Sequence, residues 1–273
     1  MDYKRILAIQ DISCVGHCSM TVVLPVISAC GQECCILPSA VLSTHTGGFG
    51  KPVVRNLTDN MEGIRNHWKE AGITFDAILV GYLGSIAAIE ETKAIVKELL
   101  APGGKFIVDP AMADHGKLYS GFDATYAQAM KALCGLADVV MPNITEAAMM
   151  AGLPYQDTLT RDYVEMLLHH MGDADVVLTG VGFAPEETGA AIRTKEGIRY
   201  VSGPKVGRGY HGTGDLFAAA FTGAWMGGRT MVESADIAVK FVCRCVENTV
   251  ADPNHWYGTK FETAIPYLIE LLK

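Results

Sequence analysis

The chain has 273 residues, of which 49% are hydrophobic, and a formal net charge of −8. This length can bury a substantial core, whereas the acidic balance argues against a general nucleic-acid-binding surface, which needs basic patches. No run reaches the roughly 18 consecutive apolar residues of a membrane-spanning helix. The first residues lead directly into a strand pattern, so we expect no signal peptide.

The eight cysteines lie mostly in apolar segments, such as those around Cys34, Cys35, Cys243 and Cys245. None forms a C-x-x-C pair of the zinc-site type, and disulfide frameworks are typical of short secreted chains. We therefore predict reduced cysteines that act as small core side chains in a cytoplasmic protein.

Short apolar runs alternate with segments of helical periodicity along the chain. Strands are predicted over 5–10, 34–38, 77–82, 106–110, 138–143 and 175–180, a hairpin near 189–194 and 197–201, and helices over 86–100, 123–135, 160–171, 230–250 and 261–272. This alternation predicts a mostly parallel sheet that is covered by helices on both faces. We find no repeat, linker or second domain, so one domain is expected over residues 1–273.

A polar or turn residue follows each apolar run at once. Asp11, Tyr82, Asp109, Asn143 and Thr179 each stand near the end of one predicted strand. In open α/β sheets, ligands bind beyond the carboxyl ends of the strands. We therefore expect these residues to converge on one rim of the sheet, although they are far apart in the sequence.

The segment "HGTGD" precedes a long apolar run that is typical of a buried helix. Gly212 and Gly214 allow a ligand to approach the backbone closely, and the first N–H groups of a helix bind anions. Asp215 would then lie within reach of a substrate hydroxyl and could accept its proton. The alternative is that Asp215 only caps the helix.

Asn143 and Glu146 are three residues apart at the start of another predicted helix. This spacing fits a capping box, in which the two side chains satisfy each other's backbone N–H groups. The same residues, with Asp109 from the neighbouring strand end, could instead supply oxygen ligands for Mg²⁺. The spacing alone does not decide between a cap and a metal site.

Two loops add polar groups near the predicted rim. Asp114 follows Asp109 in a glycine-containing loop and is either a functional acid or a simple loop carboxylate. Residues 42–53 form a glycine-rich loop that could close over a small ligand or be an ordinary surface loop. His17 and His45 are not spaced as metal ligands, and we expect them to be polar lining groups at most.

Six segments, taken in order, resemble the pyridoxal kinases of the ribokinase superfamily of small-molecule kinases. They are "AIQDISCVGHCSM" (8–20), "STHTGGFG" (43–50), "GYLGS" (81–85), "DPAMAD" (109–114), "MPNITEA" (141–147) and "HGTGDLFAA" (211–219). The resemblance covers essentially the whole chain. It implies a ribokinase-like three-layer α/β/α sandwich, and family members are commonly homodimers.

The resemblance also implies roles in phosphoryl transfer from ATP. Asp215 corresponds to the catalytic base for the 5′-hydroxyl of a vitamin B6 vitamer, and the amides of Gly212, Thr213 and Gly214 to the anion hole for the transferred phosphate. Phosphoryl transfer leaves the protein mainly positioning and charge stabilisation to perform.

The remaining family positions concern the ligands. Those that match residues organising Mg²⁺, partly through water, are Asp109, Asn143 and Glu146. Those that match ATP contacts are Asp114, Asn143, Thr179, Gly180, Gly212 and Thr213. Those that match vitamer contacts are Asp11, Thr46, Tyr82 and Asp215. The sequence does not settle whether a monovalent cation such as K⁺ takes part.

Asp11 stands where the family usually has serine. A carboxylate there would favour a protonated ring nitrogen, an amine or an added donor on the ligand. It could shift the preference among pyridoxal, pyridoxamine and pyridoxine, or select a different heteroaromatic alcohol. The "TGGFG" loop is also richer in glycine than the usual family loop.

Other functions stay open at this point. Hydroxymethylpyrimidine kinase of thiamine synthesis shares the fold and takes a pyrimidine alcohol, although "STHT" and "GYLGS" favour the vitamin B6 alternative. A non-catalytic vitamer or nucleotide sensor would have no need of Asp215. A dehydrogenase is disfavoured because no G-x-G-x-x-G follows the first strand. We expect the adenine pocket near the hairpin at 198–206 and the helix after residue 230.

Overall fold

The computed structural model describes residues 3–207 and 209–273. The strands are β1 (Arg5–Ser13), β2 (Glu33–Leu42), β3 (Val54–Asn56), β4 (Phe75–Val80), β5 (Leu100–Val108), β6 (Ala113–Asp114), β7 (Lys117–Leu118), β8 (Val139–Val140), β9 (Asp175–Thr179), β10 (Glu187–Thr194) and β11 (Gly197–Pro204). The α-helices are α1 (Met20–Ala29), α2 (Thr58–Glu70), α3 (Ile86–Leu99), α4 (Ala124–Cys134), α5 (Ile144–Ala151), α6 (Arg161–His169), α7 (Thr213–Met226), α8 (Met231–Val250) and α9 (Ile265–Leu271).

Nine strands form one sheet in the order β11-β10-β9-β8-β5-β4-β1-β2-β3, and β6 pairs with β7 in a separate short hairpin. Six consecutive strands of this order, from β9 to β2, are parallel to one another. The outer strands β3, β10 and β11 are antiparallel. Strand β1 pairs with β2 on one side and with β4 on the other. The strands that follow β1 in sequence thus lie first on one side of it and then, from β4 onward, on the other. Open α/β sheets bind ligands at such a switch point.

Helices cover both faces of this sheet, as the sequence predicts. Side chains of β1 alternate between the faces: Ile6 and Ala8 belong to the core that contains α1, α7 and α8. Leu7 and Ile9 belong to the core on the other face, which contains α3 and α4. Since a strand is buried on both faces only between two helical layers, the three-layer α/β/α prediction is confirmed.

Helix α7 is the most deeply buried helix near the rim. Its nine residues from Leu216 to Ala224 are all buried, because they are small or apolar on every side. At Gly223, a Cβ atom would lie 2.5 Å from the Cβ atom of Cys30, so a side chain there would collide with the C-terminal end of α1. This close packing fixes the N-terminus of α7, and with it the "HGTGD" segment, at the carboxyl ends of the strands.

Most predicted elements are present. Helices α1 and α2 and strands β3, β6 and β7 are not among the predicted elements. The predicted helix over 261–272 begins as a 3₁₀ turn (Phe261–Ala264), and α9 follows with Pro266 in its first turn, where proline is tolerated. Within the described residues, no helix combines the length and apolar character that a bilayer crossing requires.

The cysteine prediction holds only in part. All eight are free, and four of them, Cys30, Cys134, Cys243 and Cys245, are buried. Cys14 is exposed, so the prediction that it is a core side chain is wrong. It lies in the loop after β1, where the apolar pattern of the strand has already ended.

Candidate active site

A cleft of about 340 Å³ opens at the carboxyl ends of the strands. Ten of the predicted site residues line it: Asp109, Asp114, Asn143, Glu146, Thr179, Gly180, Gly212, Thr213, Gly214 and Asp215. They come from the ends of β5, β8 and β9, from β6, and from the starts of α5 and α7. The structure therefore brings together residues that are up to 106 positions apart, as the strand-end argument predicts.

The N-terminus of α7 faces this cleft without a side-chain cap. Its N-cap residue is Gly212, with φ 80° and no capping hydrogen bond from a side chain. A Cβ atom on Gly212 would lie 1.8 Å from the carbonyl oxygen of His17, so no other residue fits. The Thr213 hydroxyl donates to the carbonyl oxygen of Tyr210 at 3.1 Å. The N–H groups of the first turn are therefore left for an anion in the cleft.

Asn143 and Glu146 form the capping box that their spacing predicts. The Asn143 Oδ1 atom accepts from the Glu146 N–H at 3.0 Å, and the Glu146 Oε2 atom accepts from the Asn143 N–H at 2.9 Å. The other carboxylate oxygen accepts from the N–H of Met112 at 3.0 Å, and the Asn143 Nδ2 atom donates to the Ala113 carbonyl oxygen at 2.8 Å. Both side chains thus tie the segment after β5 to the start of α5.

Three acidic side chains lie close enough at the floor of the cleft to affect one another. Burial raises the pKa of Asp109 well above its usual value, and the charges of Glu146 and Asp215 raise it further. Burial also raises the pKa of Glu146 to about 7, against the lowering effect of three backbone N–H groups. A cation bound here would offset this repulsion.

Asp215 has the properties of a proton acceptor that works near neutral pH. Burial raises its pKa to about 7, the charge of Asp11 raises it as well, and the backbone N–H of Ser19 lowers it. Asp215 lies in the first turn of α7, directly after the uncapped amides. If a hydroxyl and a phosphoryl group bind side by side here, the hydroxyl contacts Asp215 while the phosphoryl group contacts these amides.

Asp11 lies close to Asp215, but neither Asp11 nor Tyr82 is among the residues that line this cleft. Asp11 is 3% exposed, and its Oδ2 atom accepts from the Ser13 hydroxyl at 2.9 Å. Burial raises the pKa of Tyr82, and the charge of Asp11 raises it as well. The Tyr82 ring stacks on Phe122, with 5.4 Å between the ring centroids. The charge of Asp11, at the carboxyl end of β1, thus acts on both of the other predicted vitamer contacts, Tyr82 and Asp215.

Thr46, the fourth predicted vitamer contact, is exposed on the glycine-rich loop. This loop packs against a ring cluster that consists of His17, His45, Phe49, His211, His255, Trp256 and Tyr257. His45, which we expected to be a polar lining group at most, is buried inside this cluster. His45 is 5% exposed; its Nε2 atom contacts the carbonyl oxygen of Tyr257 at 2.9 Å, and its Nδ1 atom accepts from the Gly47 N–H at 3.1 Å.

The ring cluster also explains why the loop is so rich in glycine. A Cβ atom on Gly47 would lie 2.4 Å from the His211 ring, and one on Gly48 would lie 2.4 Å from the Trp256 ring. The departure from the usual family loop is therefore a packing requirement of this chain. This requirement could not be predicted from the sequence, because His211 and Trp256 are more than 150 residues away from the loop.

The other end of the cleft is mostly apolar. It is lined by Val239, Val242 and Cys243 of α8, Phe217 of α7, and Thr188 and Gly189 of β10. The prediction of the helix after residue 230 agrees with this lining, whereas the hairpin residues 198–206 are not among it. Sequence reasoning missed these residues because apolar positions on an amphipathic helix look like ordinary core positions.

Residues 62–259 match the sequence model of the phosphomethylpyrimidine kinase family. The chain belongs to this family. A pyridoxal kinase structure from Lactobacillus plantarum is 31% identical, with a TM-score of 0.90 over 99% of this chain and 98% of that chain. A Bacteroides thetaiotaomicron protein crystallised with pyridoxal is 33% identical, with a TM-score of 0.92 over 98% and 96% of the two chains. The family resemblance to ribokinase-like pyridoxal kinases is thereby confirmed.

One curated relative extends the comparison. The pyridoxal kinase PdxY of Corynebacterium diphtheriae is 27% identical over 90% of this chain and 89% of its own length. The match to these kinase families thus includes both the strand ends and the α7 segment that build the cleft.

The cap geometry predicts the effect of a side chain at Gly212. The change Gly212→Ala should lower the free energy of unfolding by more than about 2 kcal/mol, because the new methyl group meets the His17 carbonyl oxygen. Gly103→Ala is the matched control, since Gly103 has a similar φ of 79° but no atom within 4 Å of its Cβ position. That control should cost about 1 kcal/mol. Urea unfolding measures both, and equal losses would refute the steric argument.

Proposed function

We propose that this protein is a pyridoxal kinase, which transfers the γ-phosphoryl group of ATP to the 5′-hydroxyl of pyridoxal, pyridoxamine or pyridoxine. The product is the 5′-phosphate, so the enzyme would serve the salvage of pyridoxal 5′-phosphate. Two similar proteins support this substrate class: one is a pyridoxal kinase, and the other was crystallised with pyridoxal.

One observation carries the proposal. The uncapped amides at Gly212, Thr213 and Gly214 face the same cleft as the Asp215 carboxylate. A binding protein would gain from the amides alone, whereas an acid whose pKa is about 7 is suited to accept a proton. This pairing favours phosphoryl transfer over a non-catalytic sensor.

In the proposed reaction, Asp215 receives the proton of the 5′-hydroxyl as the oxygen attacks the γ-phosphorus atom. The amides of the α7 N-terminus hold the equatorial phosphoryl oxygens, on which charge is concentrated during the transfer. The bond to the β-phosphate oxygen breaks, and ADP leaves. These amides are already oriented by the helix, so no reorganisation is needed at the moment of reaction.

The proposed nucleotide contacts share the cleft with the acids. Asp114, Asn143, Thr179 and Gly180 line it together with Asp109, Glu146 and Asp215. Thr179 and Asn143 pair across adjacent strand ends, which fixes their spacing. We place the triphosphate along these residues, with Gly212 and Thr213 at the γ-phosphate.

The acidic floor of the cleft fits Mg²⁺. Asp109 and Glu146 supply carboxylate oxygens whose mutual repulsion a divalent cation would reduce. Within the described residues, no group of three or more His, Cys, Asp or Glu side chains is placed to hold a metal directly. The Asn143 side chain is already engaged at both ends. We therefore propose that Asp109, Asn143 and Glu146 hold Mg²⁺ largely through water; when bound, the ion would neutralise phosphate charge.

We propose that the vitamer ring binds beyond the carboxyl ends of β1 and β4. Asp11 would accept from a donor on the ring, Tyr82 would pack against the ring, and Thr46 would reach it from the glycine-rich loop. Burial raises the pKa of Asp11, and the hydroxyls of Ser13 and Ser19 offset this rise only in part. A cationic ligand beside the carboxylate would favour its charged form further.

The remaining features belong to the same proposal. We propose a cytoplasmic homodimer in which residues 1–273 form one kinase domain. The eight free cysteines fit a reducing compartment. No residue in the described ranges points to a particular monovalent cation site, so K⁺ stays a prediction.

A kinase assay with pyridoxal, a second B6 vitamer and hydroxymethylpyrimidine tests the substrate class. With ATP, we expect kcat/KM for pyridoxal or another B6 vitamer to exceed that for hydroxymethylpyrimidine. The family that the chain matches is the phosphomethylpyrimidine kinase family, so hydroxymethylpyrimidine is the alcohol with which the vitamers must be compared. A large preference for hydroxymethylpyrimidine would overturn the vitamer assignment. Asp11→Ser in the same assay shows whether the carboxylate sets the preference among vitamers.

The role of Asp215 is tested by Asp215→Asn. This change keeps the shape of the side chain but removes the base, so kcat should fall about 10²–10⁴-fold. The Kd for ATP should change little. Asp162→Asn, at an exposed position at the start of α6, is the surface control. Normal turnover by Asp215→Asn would exclude Asp215 as the base.

The pH dependence of kcat/KM follows from the pKa of about 7 at Asp215. The base must be deprotonated, so kcat/KM should rise through about pH 7 and level off above it. The nearby charge of Asp11 raises this pKa, so Asp11→Asn should move the midpoint to lower pH. The pH profile is measured with both pyridoxine and pyridoxal, so that titration of the vitamer can be separated from titration of Asp215. A midpoint that does not move in Asp11→Asn would contradict the coupling of the two acids.

A further inference from the structure

Ser19 occupies a backbone conformation that favours glycine. It has φ 53° and ψ −137°, and it is 7% exposed. In the ranges that the structure describes, His115 is the only other non-glycine residue with positive φ. Such a conformation costs on the order of 1–3 kcal/mol, and glycine would adopt it without that cost. The serine side chain must therefore contribute something that glycine cannot.

Helix capping does not account for this serine. Ser19 is the N-cap residue of α1, and its carbonyl oxygen accepts from the N–H groups of Val22 at 3.1 Å and Val23 at 3.0 Å. A serine at this position usually turns its hydroxyl to the N–H groups of the first turn. Here the side chain makes no capping hydrogen bond. Burial raises the pKa of Asp11, and the Ser19 hydroxyl lies close enough to that carboxylate to offset part of the rise.

The backbone of the same residue faces the second acid. The Ser19 N–H lowers the pKa of Asp215, whereas the charge of Asp11 raises it. Ser13 completes this group, since its hydroxyl donates to Asp11 at 2.9 Å. One buried residue thus faces two carboxylates that repel each other, and it offers each of them a donor.

We propose that Ser19 is a positioning residue for phosphoryl transfer, which holds Asp11 through its hydroxyl and Asp215 through its N–H. The acid that receives the vitamer ring and the acid that receives its proton then keep one fixed relative placement. A shift between the two would move the 5′-hydroxyl relative to its base. This inference rests on the proposed function, because it takes Asp215 as the base and Asp11 as the ring contact.

A double-mutant cycle on the full-length protein tests the hydroxyl. Ser19→Gly removes the hydroxyl but keeps the N–H and suits the backbone conformation. It should lower kcat/KM for the vitamer about tenfold, as expected for a lost hydrogen bond to a charged group, with no loss of thermal stability and no change in the KM for ATP. In the Asp11→Asn background, the same change should cost less than about twofold. Equal losses in both backgrounds, or no loss in either, would overturn the proposal.

The N–H contact is tested by a size series at the same position. Ser19→Ala lacks the hydroxyl and tolerates positive φ poorly, and Ser19→Val tolerates it least. We expect kcat to fall in the order Gly, Ala, Val, as the N–H is drawn away from Asp215. Ser28→Ala, at an exposed position on α1, is the control. Identical kcat values across a folded series would remove the N–H from the proposal. If Ser19→Val does not fold, the comparison of Gly with Ala decides.

A crystal structure of Ser19→Gly gives a readout that does not depend on turnover. It should show an unchanged backbone at residue 19 and a displaced Asp11 carboxylate. An Asp11 carboxylate in its original place would refute the positioning role. If the wild-type protein phosphorylates no B6 vitamer, the proposed function fails by itself, and the cycle is measured with hydroxymethylpyrimidine while the crystal structure still tests Ser19.

Discussion

The site depends on one constraint, the close contact between Gly212 and the carbonyl oxygen of His17. A Cβ atom would lie 1.8 Å from that oxygen, so the N-cap of α7 has no side chain with which to satisfy its own helix. The contact has two results. The first-turn amides stay available in the cleft, and the loop after β1 is pressed against the start of α7. Asp11 thereby comes close enough to Asp215 for its charge to raise the pKa of Asp215.

The second organising feature is the concentration of buried acids. Burial raises the pKa of Asp11, Asp109, Glu146 and Asp215, and some of these charges raise one another's pKa further. Such a cluster costs free energy in the absence of ligands, since buried like charges repel. Cations and hydrogen-bond donors of the substrates would relieve that cost. The protein thus holds its acids in a place where their repulsion favours binding, and the capping box keeps Glu146 there.

The architecture and most of the cleft could be predicted from sequence, because strand ends in a parallel sheet must meet at one rim. Asp109, Asn143 and Thr179 were placed in this way. Helix α1 could not be predicted, since its five buried apolar residues and internal Pro25 leave little helical periodicity. Asn143 and Glu146 remained ambiguous because one spacing serves both a cap and a cation site. The ring cluster and the role of Ser19 depend on tertiary contacts and on a backbone angle, which composition and periodicity do not report.

The chain order of these contacts has a consequence for biosynthesis. The ring of His17 contacts the carbonyl oxygen of Thr259, and the two residues are 242 positions apart. Asp11 meets Asp215 across 204 positions. A nascent chain of about two hundred residues therefore contains the ends of all six parallel strands, and a group of acids, without their later partners. Contacts of such long sequence separation form late and slowly. Nascent chains of this length should need protection from aggregation until α7, α8 and the 252–259 segment emerge and close the cleft.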